Sequence, residues 1–147
     1  RPGRDGRRLA VTARYLADKS ALARLPNYEV AEQLQPRIAL SLVATCPIVD
    51  FEVLYSARNA TEYEQISAER LQFPQVLIDP EVTNRSLEVQ GLLARKGRHR
   101  LPIADLLIAA AAEVNDLVVL PYDADFDRIA EVTGQATEWV VRQGSVP

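Results

Sequence analysis

One residue constrains this chain more than any other. Asp105 is a carboxylate set inside the run Leu101-Pro102-Ile103-Ala104-Asp105-Leu106-Leu107-Ile108-Ala109-Ala110-Ala111-Ala112. Apolar side chains surround it on every side of a helical wheel, so the segment predicts a central, buried helix. A lone ionised carboxylate in such a place costs on the order of several kcal/mol and usually takes up a proton instead. Its retention makes physical sense where a cation is held. Three more acids stand at comparable junctions, Asp18, Glu52 and Asp123, each at the edge of an apolar run. Four carboxylates from four distant segments point to a hydrolase that uses a hard metal ion.

Composition narrows the alternatives. The chain has 147 residues, nearly half of them apolar, which suits one domain with a real core. No uninterrupted apolar run approaches the ~18–20 residues of a membrane span. The basic start at Arg1 to Arg8 lacks the apolar stretch of a signal peptide, so a cytoplasmic setting without membrane association is expected. The sequence contains no Met, which places the initiator outside it. Cys46 is the single cysteine and His99 the single histidine. Intramolecular disulfides, cysteine-rich zinc sites and multi-histidine metal sites are therefore excluded, and a Ser-His-Asp triad would depend on His99 alone. Cys46 is expected in the core, His99 exposed, and Tyr15 and Trp139 in packing roles.

A net charge of −3 argues against a simple electrostatic nucleic-acid binder. The basic residues are nonetheless concentrated. Arg1, Arg4, Arg7 and Arg8 form one group, and Arg95, Lys96, Arg98 and Arg100 form another. The second group either steers an RNA backbone or is a solvated loop between two helices. An acidic body with basic patches binds phosphate when metal ions offset the repulsion.

Residues 1–11 hold two Gly, one Pro and four Arg and are expected to be a flexible basic tail, with the folded domain spanning 12–147. Within the domain, a strand is predicted at 13–17, ending at Asp18, then helical turns at 20–25 stopped by Pro26. A helix at 28–35 is expected to end at Pro36 and to be followed by a buried strand at 39–43. Pro47 opens a helix that carries Glu52 to about residue 58. Thr61 with Glu64 reads as a capping box for a helix at 62–72. A brief strand at 76–78 precedes a helix at 82–96 that Gly97 terminates. The Asp105 helix ends near Asn115, a buried strand follows at 117–120, and a helix at 125–132 stops at Gly134. The last expected strand is 138–141. Strands separated by helices indicate an α/β sandwich with a mostly parallel sheet. Sites in such sheets gather beyond the carboxyl ends of the strands, where Asp18 and Asp123 stand.

Each acid has an ordinary explanation of its own. Asp105 in a first helical turn gains about 0.3–1 kcal/mol from the helix dipole. Asp18, Asp123 and Asp125 are all suitable helix caps, and helical Glu residues such as Glu52 are commonplace. Their joint occurrence carries the metal reading. Oxygen donors without a soft partner select Mg²⁺ or Mn²⁺ over Zn²⁺ or Cu²⁺. Two such ions about 3.5–4 Å apart activate water and stabilise the leaving oxygen of an in-line phosphoryl displacement. With no obvious side-chain base, the nucleophile must come from the metal. Asp123-Ala124-Asp125-Phe126-Asp127 begins like a calcium-binding EF-hand loop, but Arg128 stands at its sixth position and Gly134 at its twelfth, so that reading fails.

Four segments together resemble the PIN-domain ribonucleases, specifically the VapC-type toxins of bacterial toxin–antitoxin pairs. They are Tyr15-Leu16-Ala17-Asp18-Lys19-Ser20-Ala21-Leu22, Ala44-Thr45-Cys46-Pro47-Ile48-Val49-Asp50-Phe51-Glu52, Pro102-Ile103-Ala104-Asp105-Leu106-Leu107-Ile108-Ala109-Ala110 and Tyr122-Asp123-Ala124-Asp125-Phe126-Asp127-Arg128-Ile129-Ala130. The likeness runs over about residues 12–141, in order. It implies a PIN-like three-layer α/β/α sandwich and a metal-dependent endoribonuclease acting as a toxin. Asp18, Glu52, Asp105 and Asp123 would form the acidic quartet around Mg²⁺, with Mn²⁺ able to substitute. Asp125 matches an auxiliary acid and Ser20 a hydroxyl near the metal or its water, while Arg95, Lys96, Arg98 and Arg100 are the RNA-binding candidates. Many members carry Thr two residues before the fourth acid, and Pro121 stands there instead. The resemblance also implies products with a 3′-hydroxyl and a 5′-phosphate, a homodimer, and a cognate VapB-type antitoxin inserted into the acidic groove, with the helices at 28–35 and 62–72 as candidate contact surfaces. Two other readings use the same acids: a phosphoesterase for small substrates, or a non-catalytic module that binds a basic partner.

Overall fold

The computed structural model describes residues 12–147, and the expected basic tail at residues 1–11 lies outside the described residues. In chain order the elements are β1 (Tyr15–Ala17), α1 (Lys19–Leu22), α2 (Tyr28–Ala39), β2 (Val43–Ala44), α3 (Pro47–Tyr55), α4 (Ala60–Arg70), α5 (Pro80–Ala94), α6 (Ile103–Val114), β3 (Val118–Leu120) and α7 (Asp125–Thr133). The three strands form one parallel sheet in the order β2-β1-β3.

Successive side chains of a strand point to opposite faces, and both faces of β1 are buried. Leu16 pairs in register with Ala44 and Val119. These three share a core with Val49 of α3, Val82, Val89 and Leu93 of α5, most of α6, and Phe126 and Ile129 of α7. Ala17, Val43 and Leu120 face the other way, onto Ala21 of α1, Val30 and Leu34 of α2, and Val140, Val141 and Val146 of the C-terminal segment. Two cores on two faces make the three-layer sandwich. No helix among the described residues is long and apolar enough to cross a membrane.

Several boundaries differ from the sequence reading, each for a local reason. Pro36 does not stop α2, which continues to Ala39. Proline removes one helical donor, but here the ring lies on an exposed face. The reversal comes later, at Ser41 with φ 58°, so β2 starts at Val43 rather than at residue 39. The helix carrying Glu52 ends at Tyr55, short of residue 58. Thr61 is not a cap. Asn59 is, its side chain accepting from the Glu62 N–H at 2.9 Å, so α4 begins at Ala60. Asp79 caps α5 in the same way through Val82 at 3.0 Å, so the helix begins at Pro80, two residues ahead of the expected start.

The two weakest strand expectations shrink to single parallel bridges, Thr45 with Gln75 and Val119 with Thr137. Residues 76–78 and 138–141 are not strands, because each chain meets its neighbour for one residue and then leaves it. The bridges still matter, since they cover both outer edges of a three-stranded sheet.

A polar network joins α3 and α4. The Arg70 guanidinium, largely buried, donates from Nε to Asp50 Oδ1 (2.9 Å) and from Nη2 to Thr45 Oγ1 (2.7 Å). Thr45 Oγ1 donates to Asp50 Oδ1 at 2.8 Å, and Gln75 Nε2 to Asp50 Oδ2 at 3.2 Å. Hydrogen bonds to charged groups contribute about 1.5–3 kcal/mol, and a buried acceptor left alone loses more than the bond. Arg70→Leu is therefore expected to lower folding stability by about 1.5–3 kcal/mol, read as a shift of the urea midpoint. A change below about 0.5 kcal/mol would show that solvent replaces the network at no cost.

Candidate metal centre

Parallel neighbours end on the same side, so β1 and β3 deliver their following residues to one edge of the sheet. Asp18 follows β1 directly, and Asp123 lies three residues beyond Leu120. Glu52 reaches the edge from α3, which starts just after β2, and Asp105 from the first turn of α6. Pro102 serves as the cap residue of α6, so no side chain competes with Asp105 for the helix N-terminus.

Asp18 and Asp105 are buried, at 4% and 6% exposure, while Glu52, Asp123 and Asp125 are half-buried. Asp18 Oδ2 accepts the Ser20 N–H at 3.0 Å and the Ser20 hydroxyl at 2.5 Å. Asp123 Oδ1 accepts the Asp125 N–H at 2.9 Å. Asp105, Asp123 and Asp125 each offer an oxygen within 4.8 Å of the others, a spacing that one ion can span. Burial pushes the Asp105 carboxyl up to about 8, and Asp18, Asp123, Asp125 and Glu52 add to the rise, in that order. Burial also raises Glu52, followed by Asp18, against an opposing effect of Lys19 and a further rise from Asp123. All five acids thus lie in one field.

Hydrogen bonding decides whether this donor set fits a cation. Buried polar atoms are normally paired. Among the described residues, the buried side-chain oxygens and nitrogens without a partner are Asp18 Oδ1, Glu52 Oε1, Asp105 Oδ2 and Arg24 Nε. Three of the four are carboxylate oxygens of the expected quartet, and each comes from a different part of the fold. Acceptors left bare at one edge, within a cluster of like charge, fit a hard divalent ion with oxygen ligands. A soft ion fits poorly, because Cys46 is fully buried with its thiol pushed up to about 11 by burial, and His99 is exposed.

The tight trio includes the auxiliary acid Asp125 rather than Asp18 or Glu52, which share its electrostatic surroundings. Asp125 is not bare, since its Oδ1 accepts from Arg128 Nη1 at 2.5 Å. Arg128 was missed by sequence reasoning, although its i,i+3 spacing from Asp125 was a usable signal. Ser20 sits on α1 between two parts of the site. It donates to Asp18, and its Oγ accepts the Tyr122 N–H at 2.8 Å. Pro121 brings no hydroxyl, and this backbone link ties its neighbour to Ser20. Arg95, Lys96, Arg98 and Arg100 are exposed at the end of α5 and in the loop to α6, where Arg98 pairs with Glu131 of α7 at 2.8 Å. Arg98 and Arg100 border one concavity with Arg128, next to the acidic loop.

Comparison with known proteins agrees with this geometry. Residues 15–132 match the PIN domain family. Ribonuclease VapC51 of Mycobacterium tuberculosis (strain ATCC 25618 / H37Rv) is 42% identical over 133 residues, spanning 90% of this chain and 97% of that protein. Ribonuclease VapC21 of Mycobacterium tuberculosis (strain CDC 1551 / Oshkosh) is 40% identical over 137 residues, with 92% and 99% covered. Among solved structures, DNA-bound VapBC from Salmonella typhimurium superposes with a TM-score of 0.70 at 20% identity, covering 88% of this chain and all of the other. FitAcB from Neisseria gonorrhoeae gives 0.71 at 19% identity, with 86% and 97% covered. The structural matches show a shared fold.

The raised Asp105 carboxyl has a consequence for stability. Its folded value, about 8, exceeds its ordinary 3.8, so the folded state holds this proton more tightly than the unfolded chain. The associated stabilisation is complete at low pH and is lost as pH rises through about 8. In chelator, the melting temperature should therefore fall from about pH 5.5 to about pH 8.5, and Asp105→Asn should remove most of that slope. Added Mn²⁺ should restore the wild-type protein most at the alkaline end, because the ion competes with protons. An unchanged slope in the Asn variant would locate the titration elsewhere.

Proposed function

The chain belongs to the PIN-domain family, and from that premise we propose that it is a metal-dependent endoribonuclease, the toxin of a VapBC-type toxin–antitoxin pair, with Mg²⁺ as its working ion and Mn²⁺ as a substitute. The observation that carries the reading is the set of bare buried oxygens on Asp18, Glu52 and Asp105, beside the trio Asp105, Asp123 and Asp125. The two relatives bear the name Ribonuclease VapC and extend over nearly the whole chain. The solved neighbours include VapBC complexes, which supports a VapB-type protein as partner.

Asp18, Glu52, Asp105 and Asp123 would hold the ion, with Asp125 at the rim. A divalent ion there supplies charge stabilisation at the scissile phosphate and lowers the pKa of water. The chain contributes the rest. Ser20 occupies one oxygen of Asp18 and leaves the other for the ion. Burial and mutual repulsion raise the affinity of Asp105 and Glu52 for a proton, and a bound cation would relieve the same repulsion in the proton's place. Arg98, Arg100 and Arg128 share one concavity, where they would hold RNA phosphates against an acidic body. As the family resemblance implies, water would add at the phosphorus and the P–O3′ bond would break, leaving a 3′-hydroxyl and a 5′-phosphate. A cytoplasmic homodimer completes the reading, as in the family resemblance.

Cleavage of a structured RNA should require Mg²⁺ or Mn²⁺, stop with chelator, and fall by about 100-fold or more in Asp105→Asn, since even partners of metal ligands cost about 10–100-fold. Equal cleavage in all arms would reject the metal reading, and hydrolysis of a chromogenic phosphate ester with no action on RNA would move the assignment to a small-substrate phosphoesterase. Arg98→Glu with Arg100→Glu should raise KM and leave kcat near wild type. It should also flatten the salt dependence of RNA binding by about 0.7 in log–log slope for each phosphate that the arginines no longer neutralise. An unchanged slope would make that loop a solvated surface.

A further inference from the structure

Asp123 lies on the short connection from β3 to α7, residues 121–124, and Asp125 is the first residue of the helix that follows. Such a loop needs an external support if two carboxylates that repel each other are to stay in place. The support comes from the C-terminal segment. Tyr122, at the start of the loop, both donates from its hydroxyl to Val146 O (2.8 Å) and accepts from Val146 N (3.1 Å). Its ring meets both the Arg24 guanidinium, 3.9 Å from the ring centre, and Trp139 at 5.4 Å with the planes tilted by 56°. At the far end, Trp139 Nε1 donates to Asp127 Oδ1 at 3.3 Å. Val140, Val141 and Val146 hold the segment to the sheet by packing on the core around Ala17 and Leu120. One segment therefore grips residues 122 and 127, and both metal-cluster acids of the loop lie between those grips.

The same grip reaches Asp18. Tyr122 N–H occupies the Ser20 hydroxyl oxygen, which leaves the hydroxyl proton for Asp18 Oδ2 and keeps Asp18 Oδ1 bare. We infer that residues 139–146 are a strap that sets the relative position of Asp18, Asp123 and Asp125, and that Tyr122 and Trp139 are positioning residues controlling how tightly the centre binds its ion. The inference rests on the metal-centre reading above. Trp139, expected only to pack, uses its indole N–H as well.

The strap is tested with the full chain and Mn²⁺ alone as the probe. Titrations followed by the paramagnetic resonance of free Mn²⁺ are compared with melting temperatures in chelator. Tyr122→Phe keeps the ring and loses both bonds to Val146, and Trp139→Phe loses the indole donor. Each should weaken Mn²⁺ binding by about 10-fold, the lower end for groups that orient metal ligands. Ribonuclease activity should then recover toward wild type at saturating Mn²⁺. Arg85→Ala breaks the remote ion pair from α5 to Glu113 of α6 (2.7 Å) and should lower the melting temperature with Mn²⁺ affinity within twofold of wild type. That contrast separates positioning from general loosening. Mn²⁺ affinity within twofold of wild type in both aromatic variants would overturn the strap, whatever their melting temperatures. Absence of Mn²⁺ binding to the wild-type protein would instead overturn the metal centre itself, and the strap with it.

Discussion

Repulsion among carboxylates drawn to one sheet edge, with water largely removed, is the constraint on which this structure turns. Each acid alone has a comfortable place in the fold. Brought together at depth, Glu52 and Asp105 are raised first by burial and then by the neighbouring acids, Asp105 to about 8. The helix dipole at the start of α6 returns only about 0.3–1 kcal/mol to such a group. A bound cation is the natural counterweight, and the rest of the architecture holds the acids where they meet it. The run Ala109 to Ala112 is part of that architecture. These four side chains are almost wholly buried, and their small size lets α6 lie close against the sheet, fixing Asp105 at depth.

The charge pattern around the pocket follows the same logic. The interior is acidic and the rim basic, with Arg128 on Asp125, Arg98 on Glu131 and Lys19 offsetting Glu52. Asp125 therefore occupies an intermediate position, close enough to share an ion with Asp105 and Asp123 yet already paired with an arginine. In the proposed reaction an incoming phosphate would compete with Asp125 for Arg128, and an ion would compete with Arg128 for Asp125, so substrate and metal would reinforce each other at the rim. That would let a chain of net charge −3 approach a polyanion.

Sequence reading located the parts of the fold that physics marks strongly. β1, β3 and α6 are apolar runs in which burial leaves no alternative, and α7 ends at Gly134 with φ 73°, a conformation glycine adopts without strain. Residues 76–78 and 138–141 also carry apolar side chains, but each chain bridges its neighbour only at the residue before, Gln75 and Thr137, because pairing depends on a neighbour's register that local composition does not encode. Likewise, Thr61 and Glu64 match a capping box, while Asn59 two residues earlier takes the role. At the site, the acids were legible as an ordered set, and their individual locations were each ambiguous. The contact between Tyr122 and Val146 spans 24 residues and has no local signature, so the C-terminal support could emerge only from coordinates.

Pro121 marks the point where β3 leaves the sheet. Asp18 N–H donates to Leu120 O, so the next donor of this parallel ladder, Tyr122 N–H, would meet the Asp18 carbonyl. That carbonyl already accepts from Ala21 and Leu22 in the first turn of α1. With that carbonyl taken, Tyr122 N–H leaves the ladder and finds Ser20 Oγ instead. Pro121 has no N–H to offer on the opposite side of β3, away from β1. The hydroxyl beside Asp18 thus comes from Ser20 of α1, and the backbone donor that holds it comes from the end of β3.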